Sequence, residues 1–412
     1  MRNWSCLQAL SVPAAGKLTA RFLFLAVSWS VSLHAQDRWT LQFFYDKQDS
    51  SLDIRDIQCP SAQRCIAAGA INENGREKGA VISTSDGGQH WSVTEEKEAP
   101  VSLYFLNDSV GWMVTERGIW RSDNGGTTWM KQEALRNVVR IHFIDPSHGY
   151  AVGSPAAVYQ TSDGGKKWAK LAAASVPPAD PKRTVYDCIA FQGQHGIITG
   201  WTVLEQPDLL LGPAAPLRNA VSSTVVALDT VDGGGHWTSR ALTSVVAVLR
   251  ARFAKDGPPL FLVQFPARSG VPTGLIRGPI GVDGQQALFA EKNRVVIDFA
   301  LLPNAGGVLA AIEPPGNSNQ LPIPGKLKMF ESSDLVAWHE ADVDYRAVAR
   351  RAVLAVGDST HQWVVTDTGM ILGRHRTESA GSRQNNSIAG VLSTSSPQSL
   401  GPKPLNTQMI KP

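Results

Sequence analysis

The sequence predicts an all-β fold built from a repeated unit of four short antiparallel strands, and three observations support this. The first is a turn motif that occurs four times: TSDGGQHW, SDNGGTTW, TSDGGKKW and TVDGGGHW, beginning at positions 84, 122, 161 and 230. The second is its period, since Trp91 and Trp129 are 38 residues apart and Trp129 and Trp168 are 39 apart. The third is a succession of short β-branched and aromatic runs between breaks rich in Gly, Pro, Asp and Ser. A period of ~40 residues with four strands per repeat is typical of β-propeller blades.

The unit is clearest in residues 138–168, VVRIHFIDPSHGYAVGSPAAVYQTSDGGKKW. It divides into strand VRIHFI, turn DPSHG, strand YAVG, turn SPAA, strand VYQTS, turn DGGK and a fourth strand that begins at KWAKL. Residues 101–131 repeat this order, and residues 53–93 do so with a cysteine-containing hairpin as their first two strands. Each unit is therefore predicted to form one four-stranded antiparallel blade.

Seven blades are predicted in all, with six or eight as the alternatives. Residues 184–237 supply a fourth blade with an insertion around 201–223, and the 101 residues from Trp237 to Trp338 leave room for two more. The stretch SSDLVAW, 332–338, is interpreted as a copy of the turn that has lost its glycines. A last unit, ending near residue 375, lacks a fourth strand, which DRWTLQFF, 37–44, is predicted to supply. That pairing would close the ring and remove two open sheet edges.

The repeated turn is predicted to be structural. Its Asp lies between the third and fourth strands, where the carboxylate can accept backbone N–H bonds and the following Gly can adopt a positive φ. The Trp is expected to cover the turn and pack on the neighbouring sheet. A shared catalytic site is disfavoured, because the four turns lie on different blades. The residues of this prediction are Asp86, Trp91, Asn124, Trp129, Asp163, Trp168, Asp232 and Trp237.

The two ends of the chain are predicted to lie outside the propeller, which spans residues 36–376. Basic residues precede the apolar run FLFLAVSWSVSL, which is followed by Leu33-His34-Ala35. This order indicates a signal peptide over 1–35, with an uncleaved anchor as the alternative, because the run is shorter than the ~20 residues that span a bilayer. Residues 377–412, rich in Ser, Pro, Asn and Gln, are predicted to be disordered. The mature protein is expected to be exported to a periplasmic or extracellular location.

Export gives the cysteines a clear interpretation. Cys59 and Cys65 flank a Pro-containing turn, and in an oxidising compartment this spacing favours a disulfide that joins a hairpin. Two free thiols and a metal site are the alternatives, and no second pair of Cys or His accompanies them. Cys188 is expected to pack as a small apolar residue.

The turns resemble the Asp-box, or BNR repeat, of sialidases and many other propellers. The whole unit, with GYAVG before TSDGGKKW, more closely resembles the photosystem II stability/assembly factor-like propellers, and this similarity is clear over residues 53–240. The resemblance implies a non-enzymatic factor that helps to assemble a protein complex. The long insertions and the Ser/Pro-rich tail depart from that family's pattern.

Two functional hypotheses follow, and we favour the first. The protein is either a non-catalytic scaffold that binds a protein partner, or a glycan-binding or glycoside-hydrolysing, sialidase-like propeller. The second needs two carboxylates that face each other across a cleft ~5–10 Å wide. Asp56, Asp187 and Glu205 are the candidates, and the sequence does not show that any two converge. No cofactor and no metal site are expected, since the nine His are scattered.

Strand parity indicates where a partner binds. In each blade the first and third turns lie at one end, while the second turn and the link to the next blade lie at the other. The long segments 171–185, 201–223, 264–274 and 312–326 all fall at the second end, where loops on a rigid scaffold often bind ligands. The candidate partner-binding residues are Arg117, Arg136, Arg183, Trp201, Glu205, Leu210, Arg218 and Arg268. The alternative is that each is an ordinary solvated loop residue.

The net charge and the composition of the loops indicate what class of partner the protein binds. A formal net charge of +3 is too close to neutral to indicate nucleic acid. Arg mixed with exposed apolar groups suits a protein partner instead. We expect a monomeric propeller without an integral membrane segment once the signal peptide is cleaved.

Overall fold

The computed structural model describes residues 38–202, 224–243, 245–255, 257–281, 284–314 and 324–375. They form 29 β-strands and two short 3₁₀ helices, Ala172–Ser175 and Ala267–Ser269. These residues belong to one compact unit that begins at Asp37. The all-β prediction is confirmed, whereas the predicted signal peptide and C-terminal tail lie outside the described residues.

The N-terminal strand β1 (Arg38–Phe44) precedes five consecutive sheets of four antiparallel strands each, in sequential order. The first is β2 (Ser50–Gln58), β3 (Cys65–Glu73), β4 (Arg76–Thr84) and β5 (Ser92–Glu96). The second is β6 (Pro100–Phe105), β7 (Gly111–Thr115), β8 (Gly118–Ser122) and β9 (Met130–Lys131). The third is β10 (Val138–Phe143), β11 (Gly149–Gly153), β12 (Ala157–Thr161) and β13 (Ala169–Lys170).

The fourth and fifth sheets follow the same plan after longer connections. The fourth is β14 (Thr184–Gln192), β15 (His195–Thr202), β16 (Thr224–Thr230) and β17 (Thr238–Leu242). The fifth is β18 (Ala247–Phe253), β19 (Pro259–Gln264), β20 (Thr273–Arg277) and β21 (Gln286–Ala290). The predicted repeat of four-stranded antiparallel units is therefore confirmed over these sheets.

The last strands join β1 in one larger sheet. They are β22 (Val295–Leu301), β23 (Gly307–Glu313), β24 (Gly325–Ser332), β25 (His339–Val343), β26 (Val348–Ala349), β27 (Ala352–Val356), β28 (His361–Thr366) and β29 (Met370–His375). The order is β22-β23-β24-β25-β1-β29-β28-β27, and β26 pairs with β24. β1 runs antiparallel to β29 and parallel to β25, so the N-terminal segment pairs with the last unit, as the sequence indicated.

The place of a strand in its sheet explains its composition. Second strands pack between two neighbouring sheets, and GYAVG of β11 is buried at all five positions. Fourth strands face solvent, and both residues of β13 are exposed. Strands that are covered on both faces are continuous apolar runs, which is the pattern that the sequence shows at each second strand.

The first strand of each of the first five sheets, together with β22 and β27, is called an inner strand here. Neighbouring inner strands are in contact along the chain, and β27 also contacts β2. Six of the seven carry a register shift, for example between Val138 and Arg140 near the start of β10. Opposite that bulge, a Cβ on Gly153 would lie 1.8 Å from the carbonyl oxygen of Asn137, so this position requires glycine.

Candidate functional site

The repeated turns share one hydrogen-bond pattern. In the third copy, Asp163 Oδ1 accepts the backbone N–H of Lys167 at 2.9 Å and the hydroxyl of Thr161 at 2.9 Å. The Thr161 oxygen in turn accepts the N–H of Gly165 at 3.0 Å. The equivalent bonds occur around Asp86, Asn124 and Asp232. Each of these side chains is thus engaged by its own turn.

The copy without glycines is one residue shorter and keeps part of this pattern. Asp334 accepts the N–H of Ala337 at 2.9 Å and the hydroxyl of Ser332 at 2.9 Å. Leu335 adopts a φ of 62° where the other copies have glycine. Its side chain is 4% exposed, so burial offsets the conformational cost.

Hydrogen bonds hold the pKa of these turn carboxylates below its usual range. For Asp163 and Asp232 the largest cause is the backbone N–H that each accepts, from Lys167 and His236 respectively. The charged form is therefore favoured, and these carboxylates are already committed to structure.

The indoles of Trp129, Trp168 and Trp237 each pack on an aromatic residue of the inner strand of their own sheet. Trp168 donates its Nε1–H to the carbonyl of Gly165 at 3.1 Å and meets Phe143 edge to face at 5.9 Å. Trp129 has the same relation to Phe105 at 6.0 Å. The indole ties the turn to the inner strand.

A second contact, which the sequence analysis did not single out, joins one sheet to the next. Trp112 of β7 donates to the carbonyl oxygen of Gly164, in the turn of the third sheet, at 3.2 Å. Tyr150 of β11 donates to the carbonyl oxygen of Gly233, in the turn of the fourth sheet, at 2.9 Å. Each donor is the second residue of the second strand in its sheet, in GWMVT and GYAVG. The aromatic residue that recurs at this position is the sequence feature from which the contact between sheets could have been predicted.

The predicted disulfide joins Cys59, directly after β2, to Cys65, the first residue of β3. Cys188 is a buried free thiol. The pKa of this thiol is raised by burial, which fits packing rather than reactivity.

The candidate arginines of the described loops lie on connections of the predicted kind. Arg117 lies between β7 and β8, Arg136 between β9 and β10, Arg183 between β13 and β14, and Arg268 between β19 and β20. All four are exposed. By antiparallel parity these connections lie at one end of their sheets, which we call the loop end.

Three other candidates, Glu205, Leu210 and Arg218, lie outside the described residues. Trp201 is the penultimate residue of β15 and is half-buried, and its Nε1 lies 3.3 Å from Asp187 Oδ2. Asp187, a candidate glycosidase carboxylate, is thus in contact with an indole of its own sheet.

The opposite end, called the Asp-box end, holds the turns between first and second strands and between third and fourth strands. A cavity of about 370 Å³ lies there, which we call the inner-strand cavity. Its lining comes from the middle and C-terminal residues of all seven inner strands and includes Cys59. The Asp-box ends of the sheets therefore come together around one cavity.

The bulges set which side chains approach this cavity. The residues directly after the register shift in the six bulged strands are Asp56, Ser102, Arg140, Cys188, Arg250 and Asp298. A bulge re-aims side chains without ending the strand. The six occupy equivalent positions, and four of them are ionisable as Asp or Arg.

Two of these carboxylates join neighbouring inner strands. Asp56 Oδ1 accepts the N–H of Ile57 at 3.0 Å, and its Oδ2 accepts that of Leu103 on the next inner strand at 2.9 Å. Asp298 Oδ1 accepts the N–H of Phe299 at 2.9 Å, and its Oδ2 accepts that of Leu354 on β27 at 2.9 Å. Asp56, a candidate glycosidase carboxylate, lies two residues before the end of β2, and backbone N–H groups engage both of its oxygens.

Three arginines line the inner-strand cavity: Arg140 from β10 and Arg250 and Arg252 from β18. Arg250 Nε lies 2.7 Å from Asp298 Oδ1. Burial is the largest single effect on the pKa of Arg250 and lowers it, but the charge and hydrogen bond of Asp298, together with the charge of Asp56, leave this pKa raised. Arg252 Nε donates to the carbonyl of Phe299 at 2.8 Å. Arg140 makes no hydrogen bond or ion pair with the residues that the structure describes.

Burial and the neighbouring charges shift other pKa values around the cavity. Burial, followed by repulsion from Arg250, lowers the pKa of Arg140 to about 10, so its guanidinium stays charged at neutral pH. Burial lowers the pKa of His142 to about 4, so this imidazole is neutral there. Burial also raises the pKa of Asp56. The cavity lining thus carries positive charge from arginine alone.

Within the described ranges, no three His, Cys, Asp or Glu side chains are grouped so that they could hold a metal ion. The described helices also include none with the length and hydropathy needed to cross a bilayer.

The comparisons with known proteins bear on the repeat and on the fold. Residues 130–213 match the family model described as Photosynthesis system II assembly factor YCF48. The predicted resemblance is confirmed. A relative named Photosystem II assembly lipoprotein Ycf48, from Synechococcus sp. (strain CC9902), is 32% identical over 106 residues. That match covers 26% of this chain and 24% of the relative, about a quarter of its length.

Two solved structures share the fold over most of the chain. The one titled YCF48 bound to D1 peptide has a TM-score of 0.55 and 16% identity, covering 83% of this chain and 96% of that one. YCF48 from Cyanidioschyzon merolae has a TM-score of 0.53 and 15% identity, covering 82% of this chain and 98% of that one. The propeller-like, all-β architecture is therefore shared, at a sequence identity that supports the fold alone.

Proposed function

We propose that this protein is an exported, non-catalytic β-propeller scaffold that binds a protein partner through its loop end, in the manner of an assembly or stability factor. The observation that carries the proposal is the placement of Arg117, Arg136, Arg183 and Arg268. They are exposed and lie on four different connections, all at the loop end of their sheets. A rigid scaffold that presents arginines from several loops is a common form of protein-binding surface.

The scaffold is proposed to have seven blades closed by β1, over residues 36–376. Five separate four-stranded sheets, the contact of β27 with β2 and the pairing of β1 with β29 support this count and closure. Joining the first and last segments of a chain protects two sheet edges from pairing with other molecules.

The names of the relatives support an interaction with protein. One similar structure is titled as bound to a D1 peptide, and the matched family is described as an assembly factor. Because the identities are low and the curated match is short, we carry over the class of partner, a polypeptide, and no particular complex.

An exported location, periplasmic or extracellular, belongs to the same proposal. The order of charged and apolar residues in 1–35 supports it, as does the word lipoprotein in the name of the curated relative. The Cys59–Cys65 disulfide suits an oxidising compartment.

The test is a capture experiment with the full chain in an envelope extract of its own organism. The test variant carries Arg136→Gln, Arg183→Gln and Arg268→Gln at the loop end. The matched control carries Lys166→Gln, Lys167→Gln and Lys255→Gln, three exposed cations on turns of the Asp-box end. We expect a protein that is retained by the wild type and the control and is lost with the test variant.

Two results would contradict the proposal. Equal retention by both variants would remove the loop end as the site. Retention of a glycan fraction, or its shortening, without any retained protein would favour the carbohydrate-binding alternative instead.

A further inference from the structure

The inner-strand cavity has a charge pattern that the proposed function does not use. It lies at the Asp-box end, away from the loop end. Its described lining contains three guanidinium groups, from Arg140, Arg250 and Arg252, and no Asp or Glu. Arginines that line one concave site without carboxylates are suited to an anion, because each presents a planar fork of N–H donors.

The three arginines are not equally available. Arg250 is held by its ion pair with Asp298 at 2.7 Å. Arg252 uses its Nε on the carbonyl of Phe299, and its terminal nitrogens make no hydrogen bond with the described residues. Within the part of the chain that the structure describes, Arg140 makes no hydrogen bond and no ion pair, although the charges of Asp56 and Asp298 act on it from a greater distance. A charged guanidinium without a protein partner, in a partly buried position, is costly unless a ligand or water pairs with it.

The carboxylates behind the lining are not free to become those partners. Each oxygen of Asp56 and Asp298 accepts a backbone N–H that holds it against an inner strand. Rotating either side chain toward Arg140 would leave buried amides without acceptors, which costs about 1–3 kcal/mol for each. An external anion avoids this cost.

The rest of the lining narrows the chemical class. Apolar side chains such as Leu103, Ile189 and Leu354 alternate with the arginines, and His142 is neutral because burial lowers its pKa. The volume, about 370 Å³, is near the lower end of typical small-ligand sites. These features fit a singly charged group on a small apolar body better than a phosphate.

We propose that the inner-strand cavity binds a carboxylate attached to an apolar group, with Arg140 and Arg252 as its main partners. Such a carboxylate occurs in a free organic acid and at the C-terminus of a polypeptide that ends in an apolar residue. This site is independent of the loop-end surface, so the failure of either proposal leaves the other standing.

The test uses isothermal titration calorimetry of the full chain with N-acetyl-L-phenylalanine, its uncharged amide and inorganic phosphate. We expect saturable binding of the carboxylate, and binding of the amide and of phosphate weaker by about tenfold or more. Arg140→Gln should weaken binding of the carboxylate by a similar factor. Arg76→Gln removes an exposed arginine at the start of β4 and should leave binding unchanged.

A second readout separates binding from folding. Because Arg140 has no protein partner among the described residues, Arg140→Gln should leave the melting temperature of the ligand-free protein unchanged or raise it. N-acetyl-L-phenylalanine should raise the melting temperature of the wild type and not that of the variant. If Arg140→Gln does not fold, the same titration with N-acetyl-L-phenylalanine is carried out on Arg252→Gln.

The proposal is overturned if acid and amide bind equally, if phosphate binds more tightly, or if no saturable binding is found. It is also overturned if a folded Arg140→Gln variant binds as the wild type does. A peptide that ends in Phe then distinguishes the two sources. If the peptide with a free C-terminus binds more tightly than N-acetyl-L-phenylalanine, and amidation of the peptide abolishes that binding, the site is assigned to a polypeptide terminus. If the peptide binds more weakly, the site is assigned to a free acid.

Discussion

The aspartates of the outer turns and those of the inner strands accept the same kind of bond in opposite surroundings. Asp163 accepts the N–H of Lys167 on an exposed turn, and this bond lowers its pKa. Asp56 accepts two backbone N–H groups on an inner strand, yet its pKa is raised because burial is the larger effect. The number of hydrogen bonds therefore does not decide which protonation state the fold favours; access to water does.

The two sets also differ in what they join. An outer aspartate closes a turn within four residues of chain, so its contribution is local. Asp298 joins β22 to β27 across 56 residues and pairs with Arg250 across 48 residues. Removing an inner aspartate should therefore loosen contacts between sheets, whereas removing an outer one should loosen one turn.

The largest effect is expected from Asp298→Ala. The change leaves Arg250 buried without its ion pair and leaves the N–H groups of Phe299 and Leu354 without an acceptor. We expect a loss of about 3–5 kcal/mol in the free energy of unfolding, measured by urea denaturation. The matched control is Asp342→Ala, an exposed carboxylate on β25, which should change stability by less than about 0.5 kcal/mol. Equal effects of the two variants would remove the distinction between inner and outer positions.

A smaller effect is expected from Trp168→Ala on the outer side. This indole is half-buried, packs on Phe143 and donates to Gly165, so its removal should cost about 2 kcal/mol. The melting temperature should fall, while the folded variant keeps any partner that the loop end retains. Trp168→Phe keeps the ring contact and should recover most of the loss. A loss of binding without a loss of stability would show that the turn has a functional role.

The contrast explains how much could be predicted from the sequence. The outer turns were predictable because the hydrogen bonds of their Asp and their Thr or Ser side chains lie within one short motif. Even SSDLVAW was identified through its Asp and Trp. The role of β1 was predictable because the last unit lacked a strand. The position of the loop-end arginines was predictable from strand parity alone. Parity depends only on the order of the strands along the chain and does not require the distances between residues.

The inner-strand cavity was missed because nothing local marks it. Arg140, Arg250 and Asp298 belong to three different units, and only the fold brings them together. The sequence does contain a feature that points to the cavity. Four of the inner strands carry charged residues within otherwise apolar runs: IRDIQ, VRIHF, LRARF and VIDFA. Asp56 lies in one of these strands, but the bulge beside it, which sets the direction of its side chain, cannot be predicted from composition.

The contact between sheets through Tyr150 has an intermediate expected effect. Tyr150→Phe keeps the ring but removes the donor to the carbonyl of Gly233 at 2.9 Å. We expect a loss of about 1 kcal/mol in the free energy of unfolding. Tyr345→Phe is the matched control, because this ring is 84% exposed and should show no change. An unchanged stability of Tyr150→Phe would mean that ring packing alone joins the third and fourth sheets.

The smallest effect at neutral pH is expected from Asp163→Asn, since Asn124 makes the equivalent backbone bond in the second copy. The difference should appear with pH. The pKa of Asp163 is lower in the folded protein than the ~3.9 of an unfolded Asp, so its contribution is present above that value and is lost as the pH falls through the folded pKa. The melting temperature of the wild type should therefore exceed that of Asp163→Asn at pH 6, and the gap should close below about pH 4. Asn124→Asp makes the reverse change. The melting temperature of this variant should exceed that of the wild type at neutral pH. A gap that is the same at every pH would mean that the charge of the outer aspartate contributes nothing beyond its shape.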